Sequence, residues 1–109
     1  MANITLNIYK AENKNQIEKV YTAEGYDLML GTVEDFMQII DVDKLNDNKA
    51  VVQMVMKGYG QIKPFLKDVF PELTDAEFKR IKVSDLVRTI TQIGTAVVES
   101  FSVLKTEKN

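Results

Sequence analysis

Two pairs of carboxylates are the groups in this chain with the types and spacing for acid–base chemistry: adjacent Glu34 and Asp35, and Asp75 and Glu77 two positions apart. Such a pair works near neutrality only when burial raises one of the two pKa values. All four residues fall in the first turn of predicted helices, where negative charge is favourable against the helix macrodipole. They read as helix-end charges rather than catalytic dyads. A third acidic group, Asp41, Asp43, Asn46 and Asp47, invites a calcium reading. A calcium loop starting at Asp41 needs an oxygen ligand at its fifth position, glycine at its sixth and glutamate at its twelfth. The chain offers Leu45, Asn46 and Val52 there. A solvated turn that caps a helix fits better.

The chain also contains no histidine, cysteine or tryptophan. Histidine is the side chain that titrates near neutral pH, and cysteine is the strongest nucleophile there. Thiolate and imidazole metal sites are excluded, as are disulfides. The expectation is a protein that is not an enzyme, holds no metal or cofactor, and acts through its surfaces.

Lys79, Arg80, Lys82 and Arg88 concentrate positive charge within residues 78–88. Two short helices meeting there would start a helix–turn–helix reader. Asp75, Glu77 and Asp85 interrupt the cations, however, and the helix after Ser84 carries apolar residues and threonines where base-reading side chains belong. A solvated face or a patch for an acidic protein is the better reading, with a small regulatory or DNA-associated protein as the alternative. Gly25, Gly31, Gly58, Gly60 and Gly94 occur singly, so no phosphate-cradling loop exists. Gly58, Gly60 and Gly94 lie inside predicted helices, where glycine costs about 1 kcal/mol against alanine and marks close packing or a kink. Met29, Met37, Met54 and Met56 read as core filler, with an adaptable binding surface as the second reading.

The elements that position these groups follow from periodicity. Ile4, Leu6 and Ile8 alternate with polar residues, Ala11 to Asn15 break the pattern, and Ile17 to Thr22 resume it. This predicts a β-hairpin over roughly residues 4–22. Such a hairpin must pack on something or pair with another chain, because two strands alone are marginal in water. Beyond Gly31 the period becomes helical. Thr32 is the expected N-cap of a first helix with Val33, Phe36, Met37, Ile39 and Ile40 on its apolar face. A second helix should start near Asp47 or Asn48 and run through Phe70, kinked or broken at 60–63 ahead of Pro64. Leu73, Thr74, Glu77 and Phe78 form a capping box with a hydrophobic staple, predicting a short helix to about Ile81. Ser84 then caps a last long helix. The fold class is α+β, mostly helical, with an N-terminal hairpin followed by three to four helices.

At 109 residues the chain fits a single domain over 1–105, with 106–109 fraying as a tail. Hydrophobic residues make up 45% and charged residues 28%, a globular balance. A net charge of −2 gives no general pull toward nucleic acid or anionic lipid, so neither is an expected partner. No apolar run is long enough for a membrane span and the start lacks signal-peptide regions, which makes the cytoplasm the expected compartment.

The last helix carries an apolar stripe of Leu86, Ile90, Ile93, Val97, Phe101 and Leu104, flanked by Val87, Gly94 and Val98. Two readings stay open: packing within the domain, or sharing with a second subunit or partner helix. The half that follows Ser84 should lie in the core, and the half from Val97 to Leu104 should be accessible. Val97, Phe101 and Leu104 are therefore the candidate partner-binding residues, Phe101 foremost.

The segment Tyr26-Asp27-Leu28-Met29-Leu30-Gly31-Thr32-Val33-Glu34-Asp35 is followed by Ile39-Ile40-Asp41-Val42-Asp43-Lys44-Leu45 and by Lys63-Pro64-Phe65-Leu66-Lys67-Asp68-Val69-Phe70-Pro71. Next come Leu73-Thr74-Asp75-Ala76-Glu77-Phe78-Lys79-Arg80 and the Lys82-Val83 junction. In order and spacing this resembles the small tail assembly chaperones of long-tailed bacteriophages and prophages of Gram-positive hosts, along nearly the whole chain. The resemblance implies a viral morphogenesis protein made in the host bacterial cytoplasm and absent from the mature virion. It implies a coat on the tape measure protein that keeps it soluble and helps recruit the tail tube protein. The resemblance also implies a longer product made by ribosomal frameshifting. A homo-oligomer is a separate expectation, from the apolar stripe of the last helix. No catalytic or client-binding residue carries over, because the matching motifs are packing and capping patterns.

Overall fold

The structure, a computed structural model, describes residues 3–25 and 28–107, with side chains described as far as Glu99. Strands β1 (Asn3–Tyr9) and β2 (Ile17–Glu24) form an antiparallel hairpin. Five helices follow: α1 (Leu30–Ile39), α2 (Asn48–Lys57), α3 (Tyr59–Val69), α4 (Asp75–Phe78) and α5 (Val83–Glu107). The α+β class with an N-terminal hairpin and a mostly helical remainder is as expected from the sequence. Tyr26 and Asp27 of the family-like segment lie outside the described residues, as do Lys108 and Asn109 of the expected tail.

Alternation in β1 places Ile4, Leu6 and Ile8 on one face, and all three are fully buried. Their cross-strand partners on β2 are Ala23, Tyr21 and Lys19. Tyr9 pairs with Ile17, so β2 carries one extra residue at Glu18, a bulge next to the hairpin loop. The loop is closed by its own backbone: the Lys10 N–H donates to the Gln16 carbonyl, and the Gln16 N–H to the Asn13 carbonyl. Against the apolar face of β1 lies the core proper. It contains Phe36 and Ile40 at α1, Val51 and Val55 on α2, and Ile62, Phe65, Leu66 and Val69 on α3. Phe70, Leu73 and the α5 residues Ile90, Ile93, Ala96 and Val97 complete it. The Phe36 and Phe65 rings meet at 5.7 Å, tilted, and join α1 to α3.

Several boundaries differ from expectation for definable reasons. Helix α1 begins at Leu30, and its N-cap is Met29, with no side-chain cap. Thr32 is not the cap but a buried first-turn residue, because the Met29 carbonyl already takes the Val33 N–H at 3.0 Å. This shift moves Glu34 and Asp35 out of the first turn. Asp47 caps α2 as expected, accepting from the Lys49 and Ala50 backbone N–H groups. Helix α4 ends at Phe78 rather than near Ile81, as Lys79 takes the C-cap position. Helix α5 starts one residue ahead of Ser84, with the Lys82 carbonyl accepting from the Leu86 N–H at 2.9 Å. Ser84 therefore sits inside the first turn.

The long second helix divides at Gly58, two residues ahead of the expected 60–63 break, while Pro64 is accommodated inside α3. Gly58 also sits at a close approach. A Cβ on Gly58 would stand 2.9 Å from Cγ2 of Ile39, so α1 can pack against the α2–α3 junction only if this residue has no side chain. Gly60, by contrast, faces open space. Gly94 of α5 is a second contact of this kind, since its missing Cβ makes room for the Leu45 side chain.

These two helix glycines should respond oppositely to alanine. Gly60→Ala should stabilise the fold by about 0.5 kcal/mol through the reduced freedom of the unfolded chain. Gly58→Ala should cost about 1–2 kcal/mol through overpacking against stiff Ile39. Urea denaturation midpoints of the two variants check this, and a shift of the same sign in both would refute it.

Candidate functional site

Of the four carboxylates first considered, the structure separates every pair by role. Glu34 and Asp35 are exposed in the middle of α1. Asp75 is exposed and bound by Lys67, with Lys63 at 3.6 Å. The ammonium groups of Lys67 and Lys63 hold the Asp75 carboxyl below the usual carboxylate range. Glu77 alone is buried, only 6% exposed. Its carboxylate accepts from the Tyr21 hydroxyl at 2.6 Å and from the Thr74 backbone N–H at 3.0 Å. Lys19 pairs with its other oxygen at 3.1 Å. Thr74 returns the capping box by accepting from the Glu77 N–H at 3.1 Å.

Burial pushes the Glu77 carboxyl upward, but hydrogen bonds from Tyr21, Thr74 and Lys19 outweigh it and hold the pKa at about 2. A base this weak abstracts no proton near neutrality. Its work is to tie β2 to α4: the same hydrogen bond raises the Tyr21 pKa, and Lys19 is raised by its bond to Glu77. The capping box was legible in sequence, whereas its junction with the hairpin was not. Tyr21 and Glu77 are far apart in the chain, and no local pattern joins them.

The acidic turn is likewise used for capping. Asp41 accepts from the Asp43 N–H at 3.0 Å and starts a 3-10 turn over Val42–Lys44. Among the described residues no group of three or more acidic side chains is arranged to hold a metal ion. No helix among them is long and apolar enough to cross a membrane.

The basic region 78–88 is largely occupied by contacts to the hairpin. Arg80 donates to the Tyr9 carbonyl at 3.0 Å and pairs with Glu18 at 3.2 Å, while its own carbonyl accepts from the Tyr9 N–H. Lys82 lies 4.4 Å from the centroid of the Tyr9 ring, a cation–π contact. Arg88 pairs with Asp85 on the same helix at 3.3 Å. Lys79 is exposed.

On α5 the stripe behaves as two rows. Ile90, Ile93 and Val97 are buried and Leu86 is half-buried, as the apolar spacing requires. Beside them runs a row that hydrophobic patterning missed: Asp85, Thr89, Gln92 and Ala96. Asp85 accepts from the Tyr9 hydroxyl at 2.5 Å, which raises the pKa of that phenol. The Thr89 hydroxyl donates to the Thr5 carbonyl at 2.7 Å, and the Gln92 Oε1 accepts from the Thr5 N–H at 2.8 Å. Polar residues at core-facing positions leave no apolar signal, so this seam was invisible in one dimension.

Val97 is 2% exposed and belongs to the core, contrary to the expectation that accessibility begins there. It directly follows Ala96 and Ile93 on the face that closes over β1 and α2. Val98, on the adjoining face, is exposed. The α5 backbone continues to Glu107, but the side chains of Phe101 and Leu104 lie outside the described residues. No catalytic constellation emerges from the described residues. Apolar side chains are exposed instead along the flank of α1, at Leu30 and Met37, and at Val98 of α5.

The Glu77 junction has a clear pH signature. A folded pKa of about 2 against 4.5 in the unfolded chain means its contribution is complete above pH 4.5. It is lost as pH falls from there toward 2. Glu77→Gln should lower stability at neutral pH and flatten the acid limb of the stability curve below pH 4.5. Thr74→Ala should cost about 1 kcal/mol at neutral pH through the lost cap. Denaturation midpoints measured from neutral to acid pH check both; an unchanged acid limb in Glu77→Gln would refute the assignment.

Compared with known protein families, with characterised proteins and with solved structures, the chain matches none of them.

Proposed function

We propose that this protein is a non-enzymatic tail assembly chaperone of a long-tailed bacteriophage or prophage, which binds the tape measure protein and assists tail tube assembly. The observation that carries the reading is the ordered run of family-like segments from Tyr26 to Val83. The architecture supports it through α5. This helix has 25 residues, about 37 Å at 1.5 Å per residue. Its last described core residue is Val97, and the backbone runs on through a segment whose sequence continues the stripe with Phe101 and Leu104. A tape measure protein is a long helical client, and helices recognise one another by laying apolar stripes together.

In this reading the protein acts in the host cytoplasm, holds the client soluble while tube subunits are recruited, and is not part of the mature virion. Binding replaces turnover, so no cofactor is required. The alternative as a small DNA-associated protein has less support, since Arg80, Lys82 and Arg88 of its basic region are engaged with the hairpin and with Asp85.

Co-expression with the tape measure protein of the same genome tests the reading. The client should move from the insoluble to the soluble fraction and co-purify with this chain. Phe101→Asp should at least halve the soluble client while leaving the far-ultraviolet circular dichroism unchanged. A client that stays insoluble with the parent chain would overturn the chaperone reading. Unfolding of Phe101→Asp would place Phe101 in the core instead.

A further inference from the structure

The flank of α1 turned away from the core has a composition that folding does not explain. Leu30 is 73% exposed and Met37 49% exposed, and Met29 just ahead of the helix is 74% exposed. With half-buried Val33, Leu30 and Met37 stand at i, i+3 and i+7, which places them on one stripe. Glu34 lies four residues after Leu30 and borders that stripe on its exposed side. Beyond the end of α1 the stripe opens into a depression of about 450 Å³. Met37, Met54, Ile40 and Val42 line it, with Asp41 and Asp43 at its edge.

Charge along α1 and into the turn after it is acidic, up to exposed Lys44. From Leu28 to Asp43 the charged residues are Glu34, Asp35, Asp41 and Asp43, all exposed. The remainder of the chain mixes both signs, as in the Lys63, Lys67 and Asp75 cluster. An exposed apolar stripe is a liability for a free protein unless something binds it. Unbranched methionine lets such a stripe fit partners of differing shape. A partner that covers the stripe also meets the carboxylates beside it, so favourable contact requires apolar residues flanked by cations.

We propose that the Leu30–Met37 flank of α1, continued by the Met37–Met54 depression, is a docking surface for a basic amphipathic helix of another protein. Leucine or similar side chains of that helix lie along Leu30, Val33 and Met37, and its lysines or arginines face Glu34, Asp41 and Asp43. This goes beyond the chaperone reading, because it assigns a contact surface and a partner chemistry without requiring a tape measure protein as the partner.

The test uses the full chain and a fluorescein-labelled amphipathic helical peptide built only from leucine and lysine, followed by anisotropy at low and moderate salt. The parent should bind, more weakly as salt rises, since exposed charges are screened. Leu30→Gln with Met37→Gln, which leaves the net charge unchanged, and separately Glu34→Lys with Asp43→Lys, should each weaken binding about tenfold. All four positions are exposed or half-exposed, and circular dichroism verifies that the variants fold. Glu12→Lys with Glu99→Lys makes the same change in net charge as the Glu34 and Asp43 pair, at exposed sites elsewhere, and should leave affinity within about twofold. The proposal is overturned if the parent does not bind the peptide, or if the Glu12 and Glu99 pair weakens it as much as the α1 pairs. It is equally overturned if the α1 pairs leave peptide affinity intact, including the case where they only dissociate a homo-oligomer in sedimentation. Loss of peptide binding in the α1 pairs with an insoluble tape measure protein would sustain this surface and remove the chaperone reading.

Discussion

A two-stranded sheet has two open edges and one face to bury, and everything else in this molecule is arranged around meeting that demand. β1 can bury Ile4, Leu6 and Ile8 only if the peptide groups on its outer edge also find partners, since an unpaired buried peptide group costs as much as a lost hydrogen bond. Helix α5 supplies them from side chains. Gln92 accepts from the N–H of Thr5, and Thr89 donates to its carbonyl, so a helix face does what a third strand would otherwise do. Arg80 does the same at Tyr9, with its carbonyl and its guanidinium. At Thr5 and Tyr9 the outer edge of β1 is thus paired rather than left as a template for aggregation.

The second strand is held by a different device. Its side chains are mostly exposed, and it gains little from apolar burial. Tyr21 instead reaches the Glu77 carboxylate and the Glu72 carbonyl, and its ring lies 6.1 Å from Phe70. One buried charge therefore caps α4 and anchors β2, which makes the capping box a tertiary junction. Breaking one partner of such a group costs more than forming the pair contributes, because the remaining charge is left buried. Tyr9, Asp85, Arg88 and Lys82 repeat the theme at the other end of the hairpin.

Glu77, Arg80, Lys82 and Asp85 are committed to the hairpin, which leaves few charges of 77–88 for partners. The polar chemistry that a sequence scan singles out is mostly internal cement, and the unspent surface lies elsewhere. It includes the acidic, methionine-bearing flank of α1. That flank presents Leu30 and Met37 to solvent from a helix.

How much was legible depended on how far each determinant reaches along the chain. Alternation in Ile4, Leu6 and Ile8, the Asp47 cap and the Thr74–Glu77 box act within one or two turns, so the sequence alone determined the hairpin and most of the helices. The division falls at Gly58 rather than at 60–63, and the contact that requires a glycine there, with Ile39, comes from another helix. Thr32 looked like a cap and became a buried residue because α1 could extend back to Leu30 at no loss of hydrogen bonding. The expected exposure of Val97 failed for the same kind of reason, since only the packed position of α5 says where the core stops. The apolar stripe of α5 was readable, while the polar row of Asp85, Thr89 and Gln92 was not, because its partners are peptide groups of β1 contributed from the far end of the chain. Local periodicity and capping are written in one dimension; which edge a helix covers, and which charge ends up buried, is decided only when distant segments compete for the same hydrogen bonds and the same space.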